Sequence, residues 1–484
     1  MMRLGRLARL SRALGTRPRL VGGTPPDTAA PTVPASLAVS ALAATTLTLT
    51  WAASTDNVGV VSYQVQQKLT SAGDGTYVQI YTGLPLTSAV AGLTQSTDYS
   101  FRVRATDEAG NSSAYSAAVT ALTTTPPITT GFGGVDGSVN AAIWLPDGGW
   151  IVGGTFSNAM PYLSVDVLGT SVARANLARF NSDGSLHDWN PGASGAFGVV
   201  WALALNGTNV IIGGSFTTLG GVSRASIGAV PLDSNTATSW NPGVTGGLAR
   251  VYALAISGVN VIVGGTFSNV GSSLRANIGA VPLASNNAIS WNPGANGAVN
   301  ALAISGVNVI VGGSFFTLGG ASRLRIGAVP LASNTATSWN PGSSSTVIAL
   351  AIAGTDVIVG GIFITLGGAS REAIGAVPLA SNVATSWNPG ATPFANIHAL
   401  AISGANVIVG GHYSTLGGAS RARIGEVPLA SNVATSWNPG ANHRVYALAV
   451  NGTDVIVGGL FTSMTTPPVA QTIVSGFAVF RNNL

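Results

Sequence analysis

Apolar positions in this chain come in short runs, and from about residue 150 onward the runs recur. The copy at 301–342 reads ALAISGVNVIVGGSFFTLGGASRLRIGAVPLASNTATSWNPG. Four strands are predicted in it: Ala301–Ser305, Asn308–Phe315, Ile326–Leu331 and Ala336–Trp339, separated by turn residues. The second run carries Val309-Ile310-Val311 without alternation, so both of its faces should be buried. The fourth is more polar, as an outer strand should be. Ser305-Gly306-Val307-Asn308 suits a tight hairpin. Pro330 and its equivalents Pro231, Pro282, Pro378 and Pro428 fall in the third run, where a missing donor predicts a bulge or an early strand end.

A Gly-Gly pair follows the second run seven times, starting at Gly153, Gly213, Gly264, Gly312, Gly360, Gly410 and Gly458. Spacings of 48 to 60 residues mean a solenoid, a propeller or an array. Four strands per unit select propeller blades. The predicted architecture over 131–484 is therefore a seven-bladed β-propeller. The last unit stops at Phe477–Phe480 without Trp-Asn-Pro-Gly, while Thr129–Gly134 precedes Val139-Asn140-Ala141 where that segment would sit. An N-terminal strand is thus expected to complete the last blade and close the ring, leaving only short edges.

Arg174–Ser185 (RANLARFNSDGS) and Asn190-Pro191-Gly192, with the Gly-Gly strands, resemble the delta-sixty-repeat propellers of bacterial surface proteins. Later copies depart from that pattern, with Ala-Val-Pro-Leu in place of Arg-Phe-Asn. The resemblance implies a propeller and extracellular placement, and no catalytic residue.

The region 30–125 reads differently. Leu47–Trp51, Val60–Gln67, Tyr77–Tyr81 and Tyr99–Ala105 alternate as β-sandwich strands do. Trp51, Asp56-Asn57-Val58-Gly59-Val60, Tyr63, Asp107-Glu108-Ala109-Gly110-Asn111, and Leu93 six positions before Tyr99 resemble a fibronectin type III domain, the last pair having tyrosine-corner spacing. Such a domain implies a spacer beside a binding or catalytic module. Asp56 and Asp107 are read as loop-capping residues in preference to calcium ligands. The linker 126–130 follows Thr123-Thr124-Thr125 and suits a semi-extended spacer.

Charge narrows the possible partners. The formal net charge is +5, but Arg3, Arg6, Arg9, Arg12, Arg17 and Arg19 supply six positive charges with no acid among them, so the remainder carries −1. That body lacks the basic stripe that phosphate binding needs, which argues against nucleic acid. Residues 1–29 are read as a disordered basic tail, with a transit-like segment, an interfacial helix or upstream sequence as alternatives. No apolar run is long enough for a transmembrane helix. Cysteine is absent, so disulfides and thiolate metal sites are excluded.

Candidate chemistry lies in what varies between repeats. No repeated carboxylate pair, nucleophile elbow or nucleophile–base set emerges from the propeller's acids, so no catalytic residue and no cofactor is assigned. Arg224, Arg275, Arg323, Arg371 and Arg421 recur once per repeat and read as structural, bonding a neighbouring blade or stacking on its tryptophan. The first position of the innermost strand instead reads Asn140, Trp201, Tyr252, Asn300, Ile348, His398, Tyr446. The position after Gly-Gly reads Thr155, Ser215, Thr266, Ser314, Ile362, His412, Leu460. The two are expected to face each other across a hairpin, pairing Ile348 with Ile362 and His398 with His412. Long loops at the same end carry Phe197, Arg250, Phe394, His443 and Arg444. Trp201, Tyr252, Asn300, His398, His412, Tyr446, Arg250, Phe394 and Arg444 are the candidate ligand-binding residues. The histidines could suit zinc, but packing is the preferred reading and no metal site is assigned. These features imply a non-enzymatic secreted or cell-surface binding or adhesion protein whose propeller face takes carbohydrate or protein. The alternatives are a polysaccharide-active enzyme or its accessory module, and a structural surface-layer or matrix component.

Overall fold

The structure is a computed structural model that describes residues 26–40, 46–93, 97–123, 134–164, 167–168, 170–195, 197–464, 472–473 and 475–481. The arginine-rich tail, the linker 126–130 and the opening of the expected closing strand at 131–133 lie outside them. The chain divides into two compact units, Met1–Pro127 and Ile128–Leu484. Both are all-β, with no α-helix among the described residues.

The first unit has strands β1 (Ala38–Ser40), β2 (Leu47–Thr50), β3 (Val60–Leu69), β4 (Val78–Gly83), β5 (Thr87–Val90), β6 (Asp98–Asp107) and β7 (Val119–Leu122). They form two sheets, ordered β1-β2-β5 and β4-β3-β6-β7. Alternation along β2 and β6 buries Leu47, Leu49, Phe101, Val103 and Ala105 in one core. Trp51 sits among them, 5.7 Å from the Tyr63 ring and 6.1 Å from Tyr81. Leu93 and Tyr99 are both buried; the loop 94–96 between them, on which the expected tyrosine corner depends, lies outside the described residues. The carboxylate of Asp56 accepts the Val58 and Gly59 amides, and that of Asp107 accepts the amide of Asn111.

The second unit contains ten three-stranded antiparallel sheets among its described residues, and seven of them are built around the Gly-Gly strands. In the copy around 301–342, the strands are Val299–Ser305, Asn308–Gly313 and Ile326–Pro330. Asn308 and Ser305 close a two-residue turn whose first residue, Gly306, has φ 56°, the sign a tight hairpin of this kind requires. The middle strand is buried on both faces, with Val309, Ile310 and Val311 at 0% exposure. Each such side chain contributes about 1.5–3 kcal/mol of burial. The third strand ends at Pro330, as expected from its lost donor.

The run Ala336–Trp339 is not a strand, which corrects the four-strand expectation. Thr337 makes one ladder-like bond to Ala328 O at 2.9 Å, and then its own carbonyl is taken by the Arg323 guanidinium. The Trp339 indole leaves the repeat altogether and donates to Pro378 O of the next at 2.9 Å. The Asn340 amide follows it onto the Asn382 side chain. Trp291, Trp387 and their neighbours repeat this clamp. The segment is therefore committed to covering the next sheet's outer edge, a use that protects the edge without extending its own sheet.

The first strands of the seven sheets begin at Ser138, Val199, Arg250, Val299, Val347, Asn396 and Val445. Each packs on the next in chain order, and the strand from Val445 packs on that from Ser138. The Gly-Gly pair explains the approach. A Cβ on the first glycine would run into the β-branched residue of the following sheet: Val200 for Gly153, Ile397 for Gly360, Val445 for Gly410. Gly458 meets Val139 of the first sheet in the same way. At that junction the Val135 amide donates to Ser475 O at 2.9 Å, where Ala193 donates to Ala175 O within an ordinary repeat. Phe180 and Phe477 pack there at 4.9 Å.

This packing has a testable consequence. Gly410→Ala should destabilise the protein by about 1–3 kcal/mol, because its Cβ overlaps Val445 Cγ1. Adding Val445→Ala opens that space, so denaturant titration should show the double variant losing clearly less than the two single losses together. Strict additivity would refute the proposed contact.

Candidate functional site

Each first strand contains a register shift, and it falls at the same place. Pairing jumps between Val200 and Ala202, Val251 and Ala253, Val299 and Ala301, Val347 and Ala349, Ile397 and Ala399, and Val445 and Ala447. In the first sheet it jumps across Asn140. The second glycine of each pair makes room for this bulge: a Cβ on Gly411 would strike the Asn396 carbonyl, and on Gly459 the Arg444 carbonyl. A bulge frees one residue from the ladder and re-aims it. Here the freed residues are Asn140, Trp201, Tyr252, Asn300, Ile348, His398 and Tyr446.

All seven line one cavity of about 680 Å³, together with Ser138, Thr155, Val199, Thr346 and Leu460. Their neighbours in sequence are buried between sheets, Val200 at 0% and Ala202 at 8% exposure, so one residue per repeat is released to the cavity. The bulge also corrects the expected cross-strand pairs. His412 lies opposite Asn396, and no register partner falls to His398.

The cavity wall is uneven. Trp201 and Tyr252 sit side by side with ring centroids 5.1 Å apart. His398 and Tyr446 form a second aromatic pair, this one edge-to-face, also at 5.1 Å. Asn140 and Asn300 turn their amides to the next sheet, donating to Val200 O at 3.4 Å and Val347 O at 3.2 Å. Arg250 lies with its guanidinium 5.5 Å from the Trp201 ring and 5.4 Å from Phe197, with Nη1 3.5 Å from the Tyr252 hydroxyl. Its Nε is buried without a hydrogen-bond partner, as are Arg444 Nε and His398 Nε2. Burial, then the nearby Arg444 charge and His412, push the His398 imidazole down to about 4. His412 is exposed, and is held below the usual range by partial burial and by Arg444 and Arg423. Phe394 stands apart on its loop, 93% exposed and at φ 64°.

The once-per-repeat arginines take no part in the cavity. Arg224, Arg275, Arg323, Arg371 and Arg421 are each 9% exposed and bond carbonyls of their own repeat, Arg224 reaching Ser223 and Thr238. The expected neighbour-blade bond or tryptophan stack is replaced by this local one, because the arginine is what fixes the run that did not become a strand. Sequence reasoning missed Asp27. Its carboxylate comes within 4.8 Å of those of Asp56 and Asp107 in the first unit, and it accepts the Ala29 amide and the Asn57 side chain. That group, and not the histidines, is the convergence of three potential metal ligands among the described residues.

The fibronectin type III family model matches residues 29–121. Residues 29–121 are a fibronectin type III domain. The fibronectin type III region is 44% identical over 110 residues to chitinase A1 of Niallia circulans, covering 22% of this chain and 14% of that protein. It is 42% identical over 106 residues to exoglucanase B of Cellulomonas fimi, covering 22% of this chain and 9% of that protein. The match thus spans less than a fifth of these relatives' length. Among solved structures, the WD40 beta propeller domain of Doa1 aligns over 72% of this chain and 94% of its own, with a TM-score of 0.45 and 11% identity.

The depressed imidazole generates a pH prediction. His398 titrates near 4 in the folded protein and near 6.5 when unfolded. Stability present above pH 6.5 is therefore lost as the pH falls toward 4, by about 3 kcal/mol at most. The difference in melting temperature between wild type and His398→Asn should shift in the variant's favour across that window; a constant difference from pH 7 to 4 would exclude the buried neutral imidazole.

Proposed function

We propose that the second unit is a seven-bladed β-propeller of the delta-sixty-repeat kind, and that its axial cavity binds a saccharide. In this reading the protein works outside the cell or at its surface, with the fibronectin type III domain as a spacer. One observation carries the proposal. Seven successive sheets each release a single side chain into one cavity, and these are among the positions at which the repeats differ. Selection for packing keeps repeats alike, so differences gathered in one concave place favour a ligand.

The composition of the wall favours a sugar. Trp201 beside Tyr252 offers flat apolar faces for pyranose C–H groups, and Ser138, Thr155 and Thr346 offer hydroxyls. Phe394, on the loop that leads into the strand carrying His398, supports a contact role outside the cavity itself. A phenylalanine that is both 93% exposed and in the left-handed region costs stability on two counts, and such outliers collect at functional surfaces. A second reading, an accessory module of polysaccharide-active enzymes or such an enzyme itself, draws on the relatives, since chitinase A1 and exoglucanase B carry the same domain.

Retention of the full chain on immobilised polysaccharides tests this. Trp201→Ala and Tyr252→Ala should each weaken retention by about tenfold or more, with melting temperatures close to wild type because both side chains sit in the cavity. Phe394→Gly should weaken retention while raising the melting temperature. Unchanged retention in all three variants would overturn the saccharide site, and release of soluble products from the polysaccharide would favour the second reading.

A further inference from the structure

The saccharide site above has a charge pattern of its own, and the inference here rests on that reading. Arg250 is posted beside the Trp201–Tyr252 pair, and Arg444, just ahead of the strand that carries Tyr446, stands near enough to His398 for its charge to lower that imidazole's basicity. The ion pairs among the described residues are Lys68–Asp74 and Arg179–Asp147, so neither guanidinium has a carboxylate partner. Both are only part-exposed, and each keeps a buried Nε with nothing to donate to. His398 presents a third buried nitrogen without a partner. The described residues that line the cavity include no carboxylate, and the two guanidiniums stand beside that lining and not within it. The nearest acid in sequence to a lining position, Asp136, is spent on the amides of Ser157 and Asn158 and on the Asn158 side chain in an adjoining groove.

A part-buried, unpaired guanidinium is costly, and the cost is recovered when an anion arrives. Cation–π contact with Trp201 and Phe197 restrains the Arg250 guanidinium, whose planar fork suits a carboxylate bound through two hydrogen bonds. We propose that the cavity selects an acidic saccharide, a polymer of uronate units, whose rings rest on Trp201 and Tyr252 and whose carboxylates are taken by Arg250 and by Arg444. Neutral sugars would use the aromatic faces alone.

Calorimetric titration of the full chain with tetragalacturonate and with cellotetraose, at low and high salt, tests the selection. At low salt the acidic tetramer should bind about tenfold or more tightly than the neutral one, and high salt should narrow the gap. Arg250→Gln and Arg444→Gln should each remove most of the preference, while Arg250→Lys retains part of it. Should Arg250→Gln fold poorly, Arg444→Gln and Arg250→Lys still decide. Equal affinity for the two tetramers, abolished by Trp201→Ala, would overturn the acidic selection and leave the saccharide site standing. Binding of neither tetramer would remove the saccharide site and this inference together. An undiminished acid preference in both glutamine variants would overturn the role given to the arginines.

Discussion

Two missing Cβ atoms in each repeat hold the second unit together. The first glycine of each pair lets a valine or isoleucine of the following sheet sit against the backbone, as Val445 does at Gly410. The second lets a carbonyl of its own first strand come close enough to form the bulge, as Asn396 does at Gly411. One dipeptide therefore sets the distance between sheets and the irregularity inside each sheet. The same device recurs where the last sheet meets the first, with Val139 against Gly458, so that junction is built like the others.

The link between packing and site follows from that bulge. A regular strand of this length would commit alternate residues to the two neighbouring sheets, leaving little to vary. The register shift takes one residue out of that commitment. Val200 and Ala202 stay buried while Trp201 between them turns to the cavity. The fold consequently separates positions that must repeat from those that need not. Tryptophans such as Trp339 clamp the next sheet through Pro378 O, and buried arginines such as Arg323 fix the loop that carries them. None of these can change without loosening a neighbour, whereas Asn300 and His398 occupy equivalent places with unrelated chemistry.

Much of this was legible in the sequence because repetition acts as its own comparison. The three strands of each sheet, the glycine pair and the seven cavity positions all follow from aligning the chain with itself. The fibronectin type III core was legible for another reason: Trp51, Tyr63 and Tyr99 alternate with polar residues as a half-buried sheet demands. What was not legible depends on partners distant in sequence. His398 and His412 lie 14 residues apart about a tight turn, so a regular hairpin pairs them, and nothing in the local pattern shows that a bulge intervenes. Ala336–Trp339 has strand-like composition, yet its fate is set by Arg323 and by a proline carbonyl 39 residues on. Asp27 joins Asp56 and Asp107 only once the sandwich brings the three loops together.

Several side chains in the cavity and on the loops leading into its strands share a thermodynamic character. His398 is kept neutral beside a cation, Arg250 and Arg444 keep donors without acceptors, and Phe394 is exposed in a backbone region that favours glycine. Each costs the folded state something that an apolar or glycine replacement would return. Seven near-identical repeats can carry such costs, because stability in a repeat array comes from many neighbour contacts of similar strength. The glycine pairs, tryptophan clamps and buried arginines supply those contacts away from the mouth. Unpartnered nitrogens also occur in the repeated arginines, Arg323 Nε among them, so what sets the cavity apart is that such costs meet side chains of unlike chemistry on one concave surface, as they do where a ligand has shaped the residues more than the fold has.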